Sequence, residues 1–326
     1  MIPKELSINS IEQVYKNIKS FINVTPLIKA NKIIDETFKT NIFLKFECFQ
    51  KSGSFKARGA INNIISSDKK DLQNGITAVS AGNHAIAASY VSNIFKLKNK
   101  IFLYESANPY RVNVCKNYGA NILFTNANNA FDEVRNAERD GYKFIHPFDG
   151  LHTLQGSATL GLEIANQIKN LNTKVDNVLI SVGGGGLISG IGSALKQFFP
   201  NVNIVGVEPD GAKGMTDSLK DNSPRRKVEI DSIADSLCAP LHMPYSFDVA
   251  KKVIDQMINI SDQDMIDSML FAFKNLKLFL EPACVAGFAA LKKMNSSKLK
   301  NKNTLILLCG SNIDFKSWNQ IIKNSQ

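Results

Sequence analysis

The chain has 326 residues, more than one ordinary domain and fewer than three, so about two compact units are expected. Hydrophobic residues make up 44% and charged residues 21%, a globular composition that excludes a disordered or fibrous chain. The net charge of +10 raises nucleic acid as a partner. The basic residues are scattered and lack interleaved aromatic side chains, so we expect no nucleic acid partner. A basic nucleic-acid-binding protein remains the alternative from a different class.

The cysteines and the first residues bear on the compartment. Five cysteines are widely spaced and odd in number, which predicts neither a disulfide framework nor a paired-cysteine zinc site. The N-terminal segment contains acidic residues and no apolar core before a cleavage site, unlike targeting peptides. No run approaches the ~18 apolar residues of a membrane span. We therefore expect a soluble cytoplasmic protein with no membrane partner.

Short β-branched runs alternate with stretches of helical period along the chain. The predicted strands are, in order, 41–46, 76–79, 100–104, 121–124, 177–181, 203–207 and 304–308. The predicted helices include 83–94, 130–139, 157–168, 187–198 and 262–276, the last with Ser261 as its N-cap. This alternation indicates an α/β fold with open parallel sheets, which bind ligands at the carboxyl ends of their strands.

The same pattern suggests how the chain is divided. Residues 69–146 contain a compact alternation of strands and helices and are predicted to be a small inserted α/β domain. Residues 1–68 and 147–326 would then form one larger domain. Because the chain crosses between the two units twice, an active site in the cleft between them is expected.

A lysine follows a Ser-Gly-Ser turn in the segment SGSFKARGA, residues 52–60. The segment places Lys56 at the start of a helix, where unpaired backbone N–H groups carry partial positive charge and would lower the pKa of the amine. A lowered pKa favours the neutral amine, which is the form that attacks a carbonyl. The alternative interpretation is a solvated lysine at a helix start.

Four consecutive glycines, Gly183, Gly184, Gly185 and Gly186, follow the predicted strand 177–181 and precede a helix. Such a run can direct several N–H groups at one anion and predicts a phosphate site. The spacing does not fit the dinucleotide fingerprint, because Ile188 and Ser189 stand where its last glycine or alanine would be. It does not fit the Walker pattern either, because Ile191-Gly192 stands where that pattern has Lys-Ser/Thr. A purely structural tight turn is the alternative.

Two further polar segments follow predicted strands. The segment SAGNH, residues 80–84, offers N–H donors and the Asn83 amide to an anionic ligand group, whereas His84 is expected to pack and hydrogen-bond locally. In LLCGSN, residues 307–312, Cys309 lies at the end of a buried strand and can be a small apolar residue.

In order and spacing, these segments resemble the fold-type II pyridoxal-phosphate enzymes, in particular the threonine/serine dehydratase and serine racemase group. The resemblance runs from Thr25-Pro26-Leu27 through the lysine, asparagine and glycine segments and Gly206-Val207-Glu208-Pro209 to CGSNID at 309–314. It implies the tryptophan-synthase-β-like fold of two parallel-sheet domains, with the cofactor pyridoxal 5'-phosphate bound between them. It also implies a homodimer. The length implies a short, catabolic-type dehydratase without a regulatory domain.

The resemblance implies a role for each segment. Lys56 would be the catalytic residue and would hold the cofactor aldehyde as a Schiff base. The other cofactor contacts would be Phe55 against the ring, Asn83 at the ring hydroxyl, the N–H groups of Gly183, Gly184, Gly185, Gly186 and Leu187 at the phosphate, and Cys309 at the ring nitrogen. The substrate carboxylate would be received by Ser80, Ala81, Gly82, Asn83 and His84.

The implied reaction is α,β-elimination of a small L-3-hydroxy amino acid, L-threonine and/or L-serine, to a 2-oxo acid and ammonia. A serine racemase is an alternative, although Ala81 stands where racemases carry a serine. A 3-hydroxyaspartate ammonia-lyase is another, because residues 234–240 and 281–284 depart from the common dehydratases near the expected substrate side chain. A cysteine-synthase-type enzyme is disfavoured, since those usually have Lys-Asp-Arg where this chain has Lys56-Ala57-Arg58.

The resemblance does not extend to the divalent cation site found in part of the group. Glu208 and Ala212 match that site, but Gly214 stands where an acidic ligand is needed. An oxygen site with one carboxylate fewer holds Ca²⁺ or Mg²⁺ more weakly. The sequence therefore predicts no metal site.

Overall fold

The computed structural model describes residues 2–80, 82–126 and 129–324. In that part of the chain, ten strands form two sheets. The strands are β1 (Leu27–Lys29), β2 (Asn41–Phe46), β3 (Ile76–Val79), β4 (Asn99–Tyr104), β5 (Ile122–Thr125), β6 (Lys143–Phe144), β7 (Asn177–Ser181), β8 (Asn203–Pro209), β9 (Gln256–Ile260) and β10 (Asn303–Leu308).

The larger sheet has six strands in the order β1-β2-β10-β7-β8-β9. Only its edge strand β1 is antiparallel, and the other neighbours run parallel. Most of its central strands are apolar and buried, as in Ile204–Val207 and Leu305–Leu308, because helices cover both faces of a parallel sheet. The carboxyl ends of β2, β10 and β7 therefore open on the same edge.

The smaller sheet has four parallel strands in the order β5-β4-β3-β6. Its strands all lie within residues 76–144. Its core, however, takes side chains from outside that stretch. Val14, Ile18 and Ile22 pack there together with Ala60 and Ile64.

The α-helices alternate with the strands. They are α1 (Ile8–Ile18), α2 (Lys32–Phe38), α3 (Lys56–Ile65), α4 (Asn83–Ile94), α5 (Pro109–Asn117), α6 (Ala130–Arg139), α7 (Leu151–Asn170), α8 (Gly186–Phe198), α9 (Gly214–Lys220), α10 (Pro244–Val253), α11 (Asp262–Leu276), α12 (Pro282–Lys293), α13 (Ser296–Leu299) and α14 (Phe315–Lys323). In the described part of the chain, no helix combines the length and apolar character needed to cross a membrane.

Helices α3 and α7 cross at very short range. A Cβ atom on Gly156 of α7 would lie 2.5 Å from the Cα atom of Gly59 on α3, so α7 has no room for a side chain at this point. The close crossing fixes α3, whose first residue is Lys56, against a helix that also packs on α8.

The predicted α/β fold with parallel sheets is confirmed. Four of the predicted helices are found within one residue of their expected limits, and Ser261 caps α11 in a capping box with Asp264. Helix α7 begins at Leu151 rather than at 157, and the strands β1, β6 and β9 were not predicted. All three lie at sheet edges, where pairing to a neighbour determines the structure more than the apolar pattern does.

Candidate active site

The predicted site segments converge on one cleft between the two sheets. The loop after β3 enters it from the smaller sheet, and the segments after β7 and β10 enter from the larger one. The predicted residues that line the cleft are Phe55, Lys56, Ser80, Gly82, Asn83, His84, Gly183, Gly184, Gly185, Gly186, Leu187 and Cys309. Ala81 lies outside the described residues.

A tight turn before α3 positions Lys56. This turn is hydrogen-bonded to Cys309, the residue that follows β10. Ser52 and Gly53 have φ values of 59° and 72°, in the left-handed region, and turn the chain into α3. The backbone N–H of Phe55 donates to the carbonyl of Cys309 at 3.0 Å. Lys56 Nζ lies 5.0 Å from the centre of the Phe55 ring and donates to the carbonyl of Pro147.

Burial tunes the Lys56 amine. Removal from water lowers its pKa to about 8, and the neighbouring Cys309 partly opposes that shift. A lowered pKa agrees with the expectation for this lysine, but the expected cause, the helix N-terminus, is not the main one. At pH 8 a large fraction of this amine is neutral, which is the reactive form.

The glycine run forms the wall opposite Lys56. Gly185 has φ = 91°, and a Cβ atom on Gly184 would lie 2.1 Å from the Phe148 ring. Among the described residues, no protein acceptor is assigned to the N–H groups from Gly183 to Leu187. The run therefore presents a cluster of free donors at the N-terminus of α8, a helix of 13 residues, as a phosphate requires.

Asn83 and His84, in the loop after β3, are both held by protein groups. The Asn83 amide donates to Glu281 Oε1 and accepts from Asn312 Nδ2, each at 2.6 Å. His84 Nε2 donates to the carbonyl of Ile145 at 2.8 Å. Burial lowers the pKa of His84 to about 3, with Lys56 adding to the shift, so the imidazole is neutral. This histidine packs and hydrogen-bonds locally, as the sequence indicated.

Ser80 and Gly82 complete the described part of this loop. Ser80 Oγ accepts a hydrogen bond from Gly82 N at 3.0 Å, which closes a small turn before α4. The open N-terminus of α4 lines the same cleft as Lys56.

Cys309 lies at the end of β10 in the larger sheet. It is buried, and its Sγ lies 3.8 Å from the carbonyl of Ala283.

An arginine not singled out from the sequence joins the two sides of the cleft. Arg111 of α5 donates to Asp235, to Glu281 Oε2 at 3.3 Å and to the carbonyl of Asn312 at 2.9 Å. Its exposed fraction is 3%. Burial raises the pKa of Glu281, and Arg111 opposes that shift. The arginine thereby orients the carboxylate that holds the Asn83 amide.

An aromatic wall in the cleft was not predicted from the sequence. Tyr104, Phe131 and Phe148 line it from the side of the smaller sheet and the segment that follows. The only local signal was the segment HPFDG, residues 146–150, which carries His146 and Phe148.

The Glu208 carboxylate is bound by groups at the start of α9 and by Asn259. It accepts hydrogen bonds from Met215 N at 3.0 Å and Thr216 N at 2.7 Å, at the start of α9, and from Asn259 Nδ2 at 3.3 Å. Within the described residues, no group of three or more His, Cys, Asp or Glu side chains gathers as metal ligands would.

Comparison with known proteins decides the family. Residues 18–310 match the family described as "Pyridoxal-phosphate dependent enzyme". The chain belongs to the pyridoxal-phosphate dependent enzyme family. The family, the fold class and the enzymatic nature expected from the sequence are thereby confirmed, and the free donors of the glycine run beside a half-buried amine suit a cofactor with a phosphate and an aldehyde.

Several characterised members of this family are similar to the chain. Phenylserine dehydratase of Ralstonia pickettii is 36% identical over 309 residues, covering 94% of this chain and 93% of that protein. Catabolic L-threonine dehydratase of Staphylococcus aureus is 33% identical, covering 98% and 92%. Among solved structures, maize serine racemase superposes with a TM-score of 0.88 at 28% identity, covering 98% of both chains.

A second structure from the family has the same degree of similarity. The threonine deaminase of T.th. also superposes with a TM-score of 0.88 at 28% identity, covering 95% of this chain and 99% of that one. The pyridoxal-phosphate dependent family therefore accounts for nearly the whole chain, including both sheets and the cleft between them.

Proposed function

We propose that the protein is an ammonia-lyase that converts a small L-3-hydroxy amino acid, L-threonine and/or L-serine, into a 2-oxo acid and ammonia. The observation that carries the proposal is the meeting of a half-buried amine with a lowered pKa, Lys56, with the free N–H groups of the glycine run in one cleft. Relatives named as dehydratases of 3-hydroxy amino acids support the same reaction class.

The cofactor would be held by groups already in place. The N–H groups of Gly183, Gly184, Gly185, Gly186 and Leu187 would bind its phosphate, and Phe55 would lie against its ring. Asn83 would face the ring hydroxyl and Cys309 the ring nitrogen. A thiol is a weaker hydrogen-bonding partner for that nitrogen than a carboxylate, which favours elimination over transamination.

Pyridoxal phosphate, when bound, withdraws electrons from the substrate α-carbon and so eases loss of its proton. Lys56 would hold the cofactor before substrate arrives and then take that proton at Nζ. The Pro147 carbonyl, which now accepts from Nζ, keeps the amine on one side of the cleft. Ser80, Ala81, Gly82, Asn83 and His84 would receive the substrate carboxylate at the N-terminus of α4.

The reaction is balanced without an external oxidant. The C–H bond at the α-carbon and the C–O bond at the β-carbon break, a carbon–carbon double bond forms between them, and the hydroxyl leaves with a proton as water. The resulting enamine moves a proton from its nitrogen to the β-carbon and becomes an imine. Hydrolysis of the carbon–nitrogen bond then consumes one water and releases ammonia. The substrate is thus converted to a 2-oxo acid and ammonia.

The test uses purified protein with added pyridoxal phosphate. We expect a yellow protein that releases 2-oxo acid and ammonia from serine or threonine, and we expect Lys56→Ala to lose both properties. Lys51→Ala is the matched control, because Lys51 directly precedes the same segment but is exposed. A wild-type protein that stays colourless with the cofactor would refute the proposal.

Racemisation of serine is the second candidate, since maize serine racemase has a closely similar fold. We propose that it is minor, because Ala81 occupies the position of the racemase serine. Chiral analysis of serine during the reaction separates the two. Racemisation as fast as pyruvate release would reverse this assignment.

We further propose that residues 69–146 form a small domain inserted into a large one built from residues 1–68 and 147–326. The all-parallel four-stranded sheet within residues 76–144 supports this division. A homodimer, a cytoplasmic location and independence from divalent cations remain predictions. Light scattering of the purified protein checks the first, and activity after chelation checks the last.

A further inference from the structure

The cleft has one region that the cofactor and the substrate carboxylate do not use. Phe55, the glycine run and Cys309 belong to the cofactor end, and the loop of residues 80–84 belongs to the carboxylate. The remaining apolar lining includes Tyr104, Phe131, Ala239 and Pro240, together with Phe148 and Leu237, which also abut the glycine run. From this region we propose that the enzyme prefers a substrate with an uncharged aromatic ring on its β-carbon, a 3-aryl-3-hydroxy amino acid. This inference rests on the proposed ammonia-lyase function.

The aromatic side is a connected group of rings. The rings of His146 and Phe148 are 4.6 Å apart and meet edge to face. The Phe131 ring lies 6.4 Å from His146 and is tilted by 34°. Rings at these separations attract one another, and a further ring placed against Phe131 and Phe148 would extend the group.

The wall is uncharged. His146 Nδ1 accepts hydrogen bonds from the N–H groups of Phe148 and Asp149, so its proton is on Nε2. Burial lowers the pKa of His146 to about 3, with Lys56 adding to the shift, and the imidazole is therefore neutral at any working pH. His146 does not itself line the cleft, but its neutral ring packs between Phe131 and Phe148, which do.

The side chains of Leu237, Ala239 and Pro240 add little bulk to the lining of the cleft. Leu237 is buried and has Ala239 and Pro240 beside it, with no long polar side chain among the three. A flat ring bound in this part of the cleft would contact apolar groups of this segment and of Phe131. The methyl group of threonine or the hydrogen of serine would leave much of that apolar surface uncovered.

The charges that line the cleft disfavour an acidic substituent. Among the described lining residues, Lys56 is the sole lysine or arginine, and Asp235 and Glu281 are the carboxylates. Arg111 lies behind them and is paired with both. A second substrate carboxylate would face two negative charges with no free cation, which argues against the 3-hydroxyaspartate alternative.

The first experiment compares substrates on the wild-type holoenzyme. Release of 2-oxo acid is measured from L-phenylserine, serine, threonine and 3-hydroxyaspartate. We expect kcat/KM for phenylserine to exceed that for serine and threonine at least about tenfold, as a filled apolar subsite provides. A preference for serine, threonine or 3-hydroxyaspartate would overturn the aromatic inference while leaving the ammonia-lyase proposal standing. Release of 2-oxo acid from none of the four would overturn both.

The second experiment measures binding without turnover. L-Phenylalanine carries the ring but no β-hydroxyl, so it cannot eliminate, and its binding is followed by the change in cofactor absorbance. We expect its Kd to be at least about tenfold below that of L-alanine. Equal affinities would contradict an aromatic subsite.

Variants locate the subsite. Phe131→Ala should lower kcat/KM for phenylserine at least about tenfold more than that for serine, because it removes one face of the subsite. Phe144→Ala is the matched control. The Phe144 ring lies 5.3 Å from that of His146, but Phe144 does not line the cleft. The readout is kcat/KM for phenylserine divided by kcat/KM for serine. If this ratio changes equally in both variants, Phe131 does not contact the substrate.

Discussion

Arg58 Nη2 lies 2.9 Å from Glu163 Oε2 in an ion pair that is shielded from solvent. The same guanidinium donates to both oxygens of Glu47, at 2.8 and 2.9 Å. Burial alone would raise the pKa of Glu47, but Arg58, together with Lys45 and Thr25, holds that pKa below its usual range. Arg58 lies in α3, two residues after Lys56. Its ion pairs therefore connect α3 to α7 and to the segment after β2.

Breaking this anchor should destabilise the fold. Arg58→Met would remove the ion-pair partner of the buried Glu47 and leave the buried Glu163 with Lys45 alone, so we expect a loss of about 3–5 kcal/mol in the free energy of unfolding. Denaturation by urea measures it. Arg225→Met is the control, since Arg225 pairs with Asp221 at 2.6 Å on the surface. Its cost should stay below about 1 kcal/mol, and equal losses in both variants would contradict the role of Arg58.

Cofactor uptake should depend on pH through Lys56. Burial lowers the pKa of this amine to about 8, and only the neutral form attacks the cofactor aldehyde. The rate at which apoprotein turns yellow should therefore rise as pH increases through about 8 and then level off. Below that range it should fall about tenfold for each pH unit. Stopped-flow absorbance measures the rate, and a midpoint near the ordinary lysine value of 10.5 would disprove the shift.

The glycine run should tolerate no side chain at Gly184. A Cβ atom there would meet the Phe148 ring at 2.1 Å and displace the N–H groups that follow, so Gly184→Ala should raise the cofactor Kd at least about tenfold. Titration of apoprotein with pyridoxal phosphate gives the Kd. Gly192→Ala, inside α8 and beyond the glycine run, would place a Cβ atom 2.6 Å from Val253; it should lower the melting temperature and keep the cofactor affinity. Loss of affinity in both would point to a general packing defect.

Arg111 should act as a positioning residue for the loop that receives the substrate carboxylate. Without it, the Glu281 carboxylate loses the cation that opposes its raised pKa and takes up a proton more readily, so its hold on Asn83 changes. For Arg111→Met we expect kcat/KM to fall about 10- to 100-fold, mainly because KM rises. We also expect the pH dependence of kcat/KM to shift.

Two further variants separate positioning from folding. Arg111→Lys should restore part of the activity because it keeps the charge. Arg135→Met should change neither KM nor the pH profile, since Arg135 is exposed and pairs with the exposed Asp132 at 3.5 Å. An Arg111→Met enzyme with an unchanged KM and profile would contradict the assignment.

Local patterns in the sequence were sufficient to predict much of the fold and the main site segments. The strands around Leu305 and Val178 are continuous apolar runs, and Lys56, Asn83 and the glycines each follow such an element or a turn. Each of these signals lies within a few neighbouring residues, where backbone preference and side-chain type act together.

Other parts of the site depend on contacts between distant positions. Arg58 meets Glu163 across 105 residues and Arg111 meets Glu281 across 170. No local pattern identifies such a partner. The aromatic wall was missed for the same reason, because Tyr104, Phe131 and Phe148 come from three separate elements.

The shared core of the smaller sheet has a consequence for dissecting the protein. A fragment of residues 69–146 would lack Val14, Ile18, Ile22, Ala60 and Ile64, which close that core. Such a fragment, expressed by itself, would expose a wide apolar face and would be expected to aggregate. Autonomous refolding would require that α1 and α3 be supplied as well, and α3 brings Lys56 with it. The segment that carries the reactive amine is thus also a structural part of the unit across the cleft.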